Sequence, residues 1–156
     1  VEVDQAVQSG VALQSESIGD VWGEALPLVQ AAPQEVGTFP PEAFQPDRAF
    51  FEWLDSQGYL RTYTMRLDGR LIGFGLFSFA PHPFYPSILL PTTYVNTVVP
   101  EHRGRLSVRF LMWVDRELEE SDAIGVSRQV HPGCDYSRTL ERLRYVKTET
   151  SYLKRF

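Results

Sequence analysis

Tyr94-Val-Asn-Thr-Val-Val-Pro-Glu-His-Arg-Gly-Arg-Leu-Ser-Val-Arg-Phe-Leu-Met-Trp-Val-Asp-Arg-Glu117 is the stretch on which the reading of this 156-residue chain turns. A β-branched run ends at Pro100, a polar turn follows from Glu101 to Arg105 with a glycine at 104, and apolar residues then recur at helical spacing. A strand feeding a helix through a turn with a glycine and several cations suits an anion. The free N–H groups at the helix start, the helix dipole and the Arg side chains all favour a phosphate there. An ordinary strand-to-helix connection with solvated arginines fits the same residues, and a single glycine in a basic turn does not separate the two.

The sequence of the turn adds to this. Val98-Val99-Pro100-Glu101-His102-Arg103-Gly104-Arg105 resembles the strand-to-helix signature of the GNAT superfamily, the acyl-CoA N-acetyltransferases. Trp22-Gly-Glu-Ala-Leu-Pro-Leu-Val29 is similar to the first helix of a subgroup of GNAT-like proteins carried by bacteriophages. Arg138-Thr-Leu-Glu-Arg-Leu-Arg-Tyr145 is similar to the superfamily's last helix and the aromatic residue after it. The resemblance covers Val11 to Phe156 and implies a mixed α/β sheet of about six to seven strands with four helices packed on it. Val1 to Gly10 reads as an N-terminal arm ahead of this domain.

Outward from that stretch, the chain has the size and balance of one globular domain with a substantial core. It is 43% hydrophobic and 22% charged, and no apolar run approaches membrane-spanning length. No segment reads as a signal peptide, and Cys134 is the only cysteine, so no internal disulfide forms. The expected location is the cytoplasm or a phage particle, neither secreted nor in a membrane. Net charge is −5, unevenly spread: eight of the twenty acidic residues lie between Val1 and Asp47, where there is no Lys or Arg, and all fifteen cations come later. An acidic first third argues against nucleic acid as a partner.

The periodicities predict a strand at Val11 to Glu16 and a helix from Ile18 to Val29 with Trp22, Leu26 and Val29 on one face, kinked or stopped at Pro27. A Pro-rich connector follows to Pro46, then a helix from Asp47 to Gln57 whose apolar side is Phe50, Phe51 and Leu54, ended by Gly58. Leu60 to Leu67 and Leu71 to Ala80 read as a hairpin closed by Asp68-Gly69, with Gly73 and Gly75 on one face either to admit a close neighbour such as Trp or Phe or to mark a bulge. Pro81 to Pro91 is a stiff loop with four prolines, carrying Phe84, Tyr85, Ile88, Leu89 and Leu90. It reads as an acceptor-site wall or a docking loop. Strands at Thr92 to Val99, Ala123 to Gln129 and Val146 to Phe156 are expected. So are a helix from Leu106 to Glu120 burying Phe110, Leu111, Val114 and Leu118, and a short helix with Leu140 and Leu143, capped by Asp135 or Ser137.

The resemblance assigns acyl-CoA binding to Val98, Val99, Arg103, Gly104, Arg105, Leu106, Ser107 and Val108, with a backbone N–H near Val98 polarising the thioester oxygen. Leu106 and Val108 stand where the family carries glycine or another small residue, so phosphate approach should be crowded and acetyl-CoA binding weak or absent. Tyr94 stands at the subgroup's acidic position, Leu140 at the family's acid tyrosine, and Arg144 at the glycine before the final aromatic residue. That leaves Tyr136 and His102 as catalytic candidates. His131 and Cys134 alone fall short of a zinc site, so no metal is expected. These departures favour a catalytically silent GNAT-fold module, of the kind a phage particle would carry, that binds protein through the 81–91 loop or the N-terminal arm. The alternative is an active N-acetyltransferase moving acetyl from acetyl-CoA to an amine.

Overall fold

The computed structural model describes residues 10–36, 39–152 and 154, and of 33–36 the backbone alone. Four strands, β1 (Val11–Glu16), β2 (Leu60–Leu67), β3 (Arg70–Ser78) and β4 (Thr92–Val98), form an antiparallel sheet in the order β1-β2-β3-β4. Four helices accompany it: α1 (Ile18–Val36), α2 (Arg48–Ser56), α3 (Arg105–Glu119) and α4 (Ser137–Arg142). The β2–β3 turn has Asp68 at φ 49° and Gly69 at φ 82°, the left-handed pair that a two-residue hairpin demands.

Alternation along the strands sends one set of side chains to each face of the sheet. Leu60, Leu71, Phe74 and Leu76 pack with Ile18, Val21 and Ala25 of α1, while Tyr63, Met65, Phe77 and Val98 pack with α3. The α3 face is buried at Phe110, Leu111, Val114 and Leu118, as its spacing predicts. Phe110 lies over the paired glycines of β3. A Cβ on Gly73 would stand 3.5 Å from its ring, and one on Gly75 3.6 Å. Both are ordinary contact distances; such Cβ atoms would press instead on Met65 (3.0 Å) and Phe77 (3.1 Å), which share the core with the ring.

Several expectations are corrected. Helix α1 runs through Pro27 to Val36 instead of stopping. Pro27 and Gly23, whose carbonyl its ring leaves unpaired, both lie on the solvent side, where water can take over the lost bond. The deeply buried face of α1 is Ile18, Val21 and Ala25, with Trp22 and Val29 only partly covered. On α2, Phe51 and Leu54 pack inward, but Phe50 is half exposed and stacks on Trp53. Ala123–Gln129 is not a strand. It makes one parallel bridge, Ser127 to Thr92, because the chain then leaves β4. From 146 to 152, and at 154, no strand forms, and Val146 and Tyr152 are exposed. The sheet therefore has four strands among the described residues, where six to seven were expected. Residues 1–9 of the expected arm, and 153, 155 and 156 of the expected final strand, lie outside the described residues. Among those described, no helix is long and apolar enough to cross a membrane.

Two polar devices fasten α1. Asp55 of α2 accepts from Ser17 Oγ (2.8 Å) and from the Ile18 N–H (3.2 Å), capping α1 from a neighbouring helix. Arg66 of β2 bridges Glu16 of β1 (3.0 Å) and Glu24 of α1 (2.9 Å), and Glu16 also accepts from Thr64 Oγ1. Burial raises the Glu16 carboxyl, but the hydrogen bonds from Arg66 and Thr64 outweigh it and leave the group below the ordinary range; Arg66 lowers Glu24 as well. A lowered carboxylate contributes stability that is present above its unfolded value and is lost as pH falls through the folded one. Arg66→Met should therefore cost about 2 kcal/mol at neutral pH and flatten the fall in stability between about pH 5 and pH 3. Urea unfolding across that range measures both.

Helix α4 ends in a Schellman motif. Tyr145 N–H donates to Leu140 O and Arg144 N–H to Glu141 O, each at 3.0 Å, with Arg144 at φ 67°. A side chain in this left-handed region is strained, so the sequence expectation of a glycine position at 144 agrees with the backbone found there. Arg144→Gly should stabilise the chain by about 1 kcal/mol, seen as a higher urea midpoint at unchanged slope.

Candidate active site

The free edge of β4 is where the fold opens. Thr93 N–H donates to Ser127 O (3.0 Å) and Ser127 N–H to Pro91 O (2.8 Å), and beyond that bridge no further pairing joins the two segments among the described residues. Leu76 opposes Val95 and Phe77 opposes Thr93, so Tyr94 is an extra residue, a bulge that bends β4 and leaves its own ring 56% exposed. Between the edge of β4, the start of α3 and the 129–139 segment lies a cleft of about 680 Å³.

Parity along β4 decides which backbone groups face this cleft. Val99 N–H donates to Ile72 O (2.9 Å), toward β3. The N–H and C=O of Val98 therefore point the opposite way, to the open edge. The carbonyl is taken there by Arg103 Nε at 2.9 Å. That bond ties the guanidinium to the strand end and turns the chain into α3. Gly104 is the N-cap of α3, at φ 94° and ψ −119°, a conformation open to glycine alone. No side chain caps the helix, so its first N–H groups face the cleft mouth with the positive end of the helix dipole.

The structure brings Val98, Arg103, Gly104, Ser107 and Val108 together in the cleft lining. Val99 and Leu106 instead pack against the core under α3, and Arg105 is exposed at the helix start. Leu106 thus points inward rather than toward the space where a phosphate would approach, while Val108 lines it. His102 sits in the 3₁₀ turn Pro100–His102 and is not part of the lining. Tyr136 is part of it: it precedes α4 and donates its hydroxyl to Gln129 O at 3.0 Å. Burial raises its phenol above the ordinary tyrosine range, against the pull of the Arg128 cation. Leu140, one turn further on, is buried in the core.

The far wall is held by a buried ionic cluster that the sequence did not signal. The Arg128 side chain is fully buried; it donates to Asp115 Oδ1 (2.5 Å) and Tyr145 Oη (2.8 Å), and Tyr145 donates to Asp115 (2.7 Å). This pins 127–129 to α3 where strand pairing stops. Asn96, Gln129, His131 and Phe39 also line the cleft and were not anticipated as site residues, because they come from four separate segments. His131 and Cys134 face each other across a two-residue turn, and among the described residues no group of three or more His, Cys, Asp or Glu could hold a metal ion.

No family model matches the chain, and no curated protein matches it. Solved structures do. A ribosomal-protein-alanine N-acetyltransferase from Brucella melitensis biovar Abortus superposes with a TM-score of 0.73 at 22% identity, over 94% of this chain and 97% of that one. A GCN5-related N-acetyltransferase from Ralstonia eutropha gives 0.73 at 17%, over 94% and 99%. An acetyltransferase from Clostridium acetobutylicum, solved with acetyl-CoA, gives 0.69 at 10%, over 93% and 96%. The chain has the fold of the acyl-CoA N-acetyltransferases.

Proposed function

We propose that the chain binds an acyl-CoA in the cleft and transfers its acyl group to an amine. One observation carries this reading: a single open space joins the uncapped start of α3, the outward backbone of Val98 and the Tyr136 hydroxyl. In that arrangement the α3 N–H groups and Arg103 hold the pyrophosphate, and the Val98 N–H polarises the thioester carbonyl. Tyr136 then donates a hydrogen bond to the sulfur as it leaves. His131 supplies an imidazole to the same lining, the side-chain type best suited to take up the amine proton. The inward turn of Leu106 removes one of the two obstacles that its sequence position implies.

Calorimetry tests the reading. Acetyl-CoA should bind saturably, and Gly104→Ala should weaken it roughly tenfold by moving the start of α3, since strain at that φ costs about 1 kcal/mol or more. A Cβ at 104 meets no protein atom within 4 Å, so the loss would come from the moved helix start or from contact with the ligand itself, either of which places acetyl-CoA at this turn.

A second reading, a catalytically silent module such as a phage component, is favoured by the 81–91 loop. Phe84 is 82% exposed and Tyr85 60%, and Ile124, whose N–H donates to Leu89 O of the same loop (3.0 Å), is 71% exposed. On this reading the loop docks a protein partner. Absence of both acetyl-CoA binding and acyl transfer would leave it standing and remove the first.

A further inference from the structure

A second cavity adjoins the cleft. It measures about 400 Å³ and lies between α1, the 39–46 segment and α2. Its walls are Trp22, Leu26 and Val29 of α1, Phe44, and Phe51 of α2, with Gln30 and Gln45 as its amides. No charged side chain is among the described residues that line it. Phe39 is common to the two linings, so the spaces meet at its side chain.

We propose that the acceptor amine is carried on an apolar aryl or alkyl body, which lies in this cavity while its amino group stays at the β4 edge. The inference rests on the transferase reading and adds the substrate class. Two physical facts fix the orientation. An ammonium moved among Trp22, Leu26 and Phe44 would lose its water and gain no counter-charge from the described residues of the lining. An aryl ring or methylene chain gains by leaving water at the same place. At the β4 edge, by contrast, Asn96, Gln129 and His131 offer polar partners to the amine. A polycation finds no counter-charge for its remaining charges among the described lining residues, and a peptide finds only Gln30 and Gln45 to pair with its amides.

The test is a binding series on the whole chain, by calorimetry and by the change in tryptophan fluorescence, with Trp53→Phe and Trp113→Phe introduced to leave Trp22 as the reporter. Propylamine, butylamine, pentylamine and hexylamine should tighten by roughly three- to fourfold per added methylene. 2-Phenylethylamine should bind with them, and spermidine and alanyl-alanine at least tenfold more weakly than hexylamine. Ala43 lines the cavity from an exposed 3₁₀ turn. Ala43→Phe should fill the space, flatten the chain-length series and leave acetyl-CoA affinity unchanged. Acetyl-CoA binding with a flat wild-type series, or with spermidine the tightest ligand, overturns this inference and spares the transferase reading. A rising series without acetyl-CoA binding overturns the transferase reading and retains an apolar-amine site.

Discussion

Phe110→Ala is expected to destabilise the fold by about 4 kcal/mol, lowering the melting temperature by roughly 10 °C for a chain of this size. Phe110 is 1% exposed and stands at the centre of the core between α3 and the sheet. The cost has two parts: the lost transfer of a phenyl ring from water, and the void it leaves. Gly73 and Gly75 have no side chains to move into the void, so it closes from below only as far as Met65 and Phe77, which pack over those glycines, can shift. Collapse of the backbone is resisted on both sides by the β2 and β4 ladders, whose registers are tied to those same glycines. Trp113, stacked on the ring at 6.4 Å, is partly exposed and is itself held edge-on by Tyr63. Urea unfolding should show a lower midpoint at unchanged slope. A loss below 1 kcal/mol would mean that α3 can settle onto the glycines, and that their spacing does not specify its seat.

This pairing of a helix residue with two strand glycines was half legible in advance. The spacing of Gly73 and Gly75 announces a large neighbour, and the α3 period announces Phe110 as buried, but nothing local joins them. The same division runs through the molecule. The β2–β3 hairpin and α3 follow from short-range chemistry: two left-handed turn residues, a strict alternation, an uninterrupted apolar stripe. Ala123–Gln129 has strand-like residues too, yet whether it pairs depends on where β4 bends, and that is set by the bulge at Tyr94. Pro27 reads as a helix breaker because sequence does not show that its ring and the carbonyl of Gly23 face water. The cleft is the least legible part. Gly104 and Arg103 mark its mouth, but its far wall is held by Arg128, Asp115 and Tyr145, which are thirteen to thirty residues apart and meet only when the chain is folded.

Tyr136→Phe is the change that separates a working transferase from a binding module. With acyl transfer at this site, it should lower kcat by about a hundredfold and leave acetyl-CoA affinity within twofold. The reasoning starts from the proton. The phenol's ionisation is raised, first by burial, so at neutral pH the group is fully protonated and is a weaker acid than an ordinary tyrosine. It is therefore poorly placed to give its proton outright to a thiolate. It is well placed to offer a hydrogen bond that strengthens as negative charge grows on sulfur, an interaction made only in the transition state. To do so the hydroxyl must leave Gln129 O, its partner in the unliganded chain, so part of its strength is spent on that exchange. The pH profile provides the check. A raised pKa keeps the donor form intact through and beyond the ordinary tyrosine range, so deprotonation of Tyr136 should not limit kcat below about pH 10. The Phe variant should therefore lie a constant factor below the native chain over that interval. A gap that widened or closed between pH 6 and pH 9 would show that Tyr136 exchanges a proton during turnover, and equal kcat values would remove it from the chemistry.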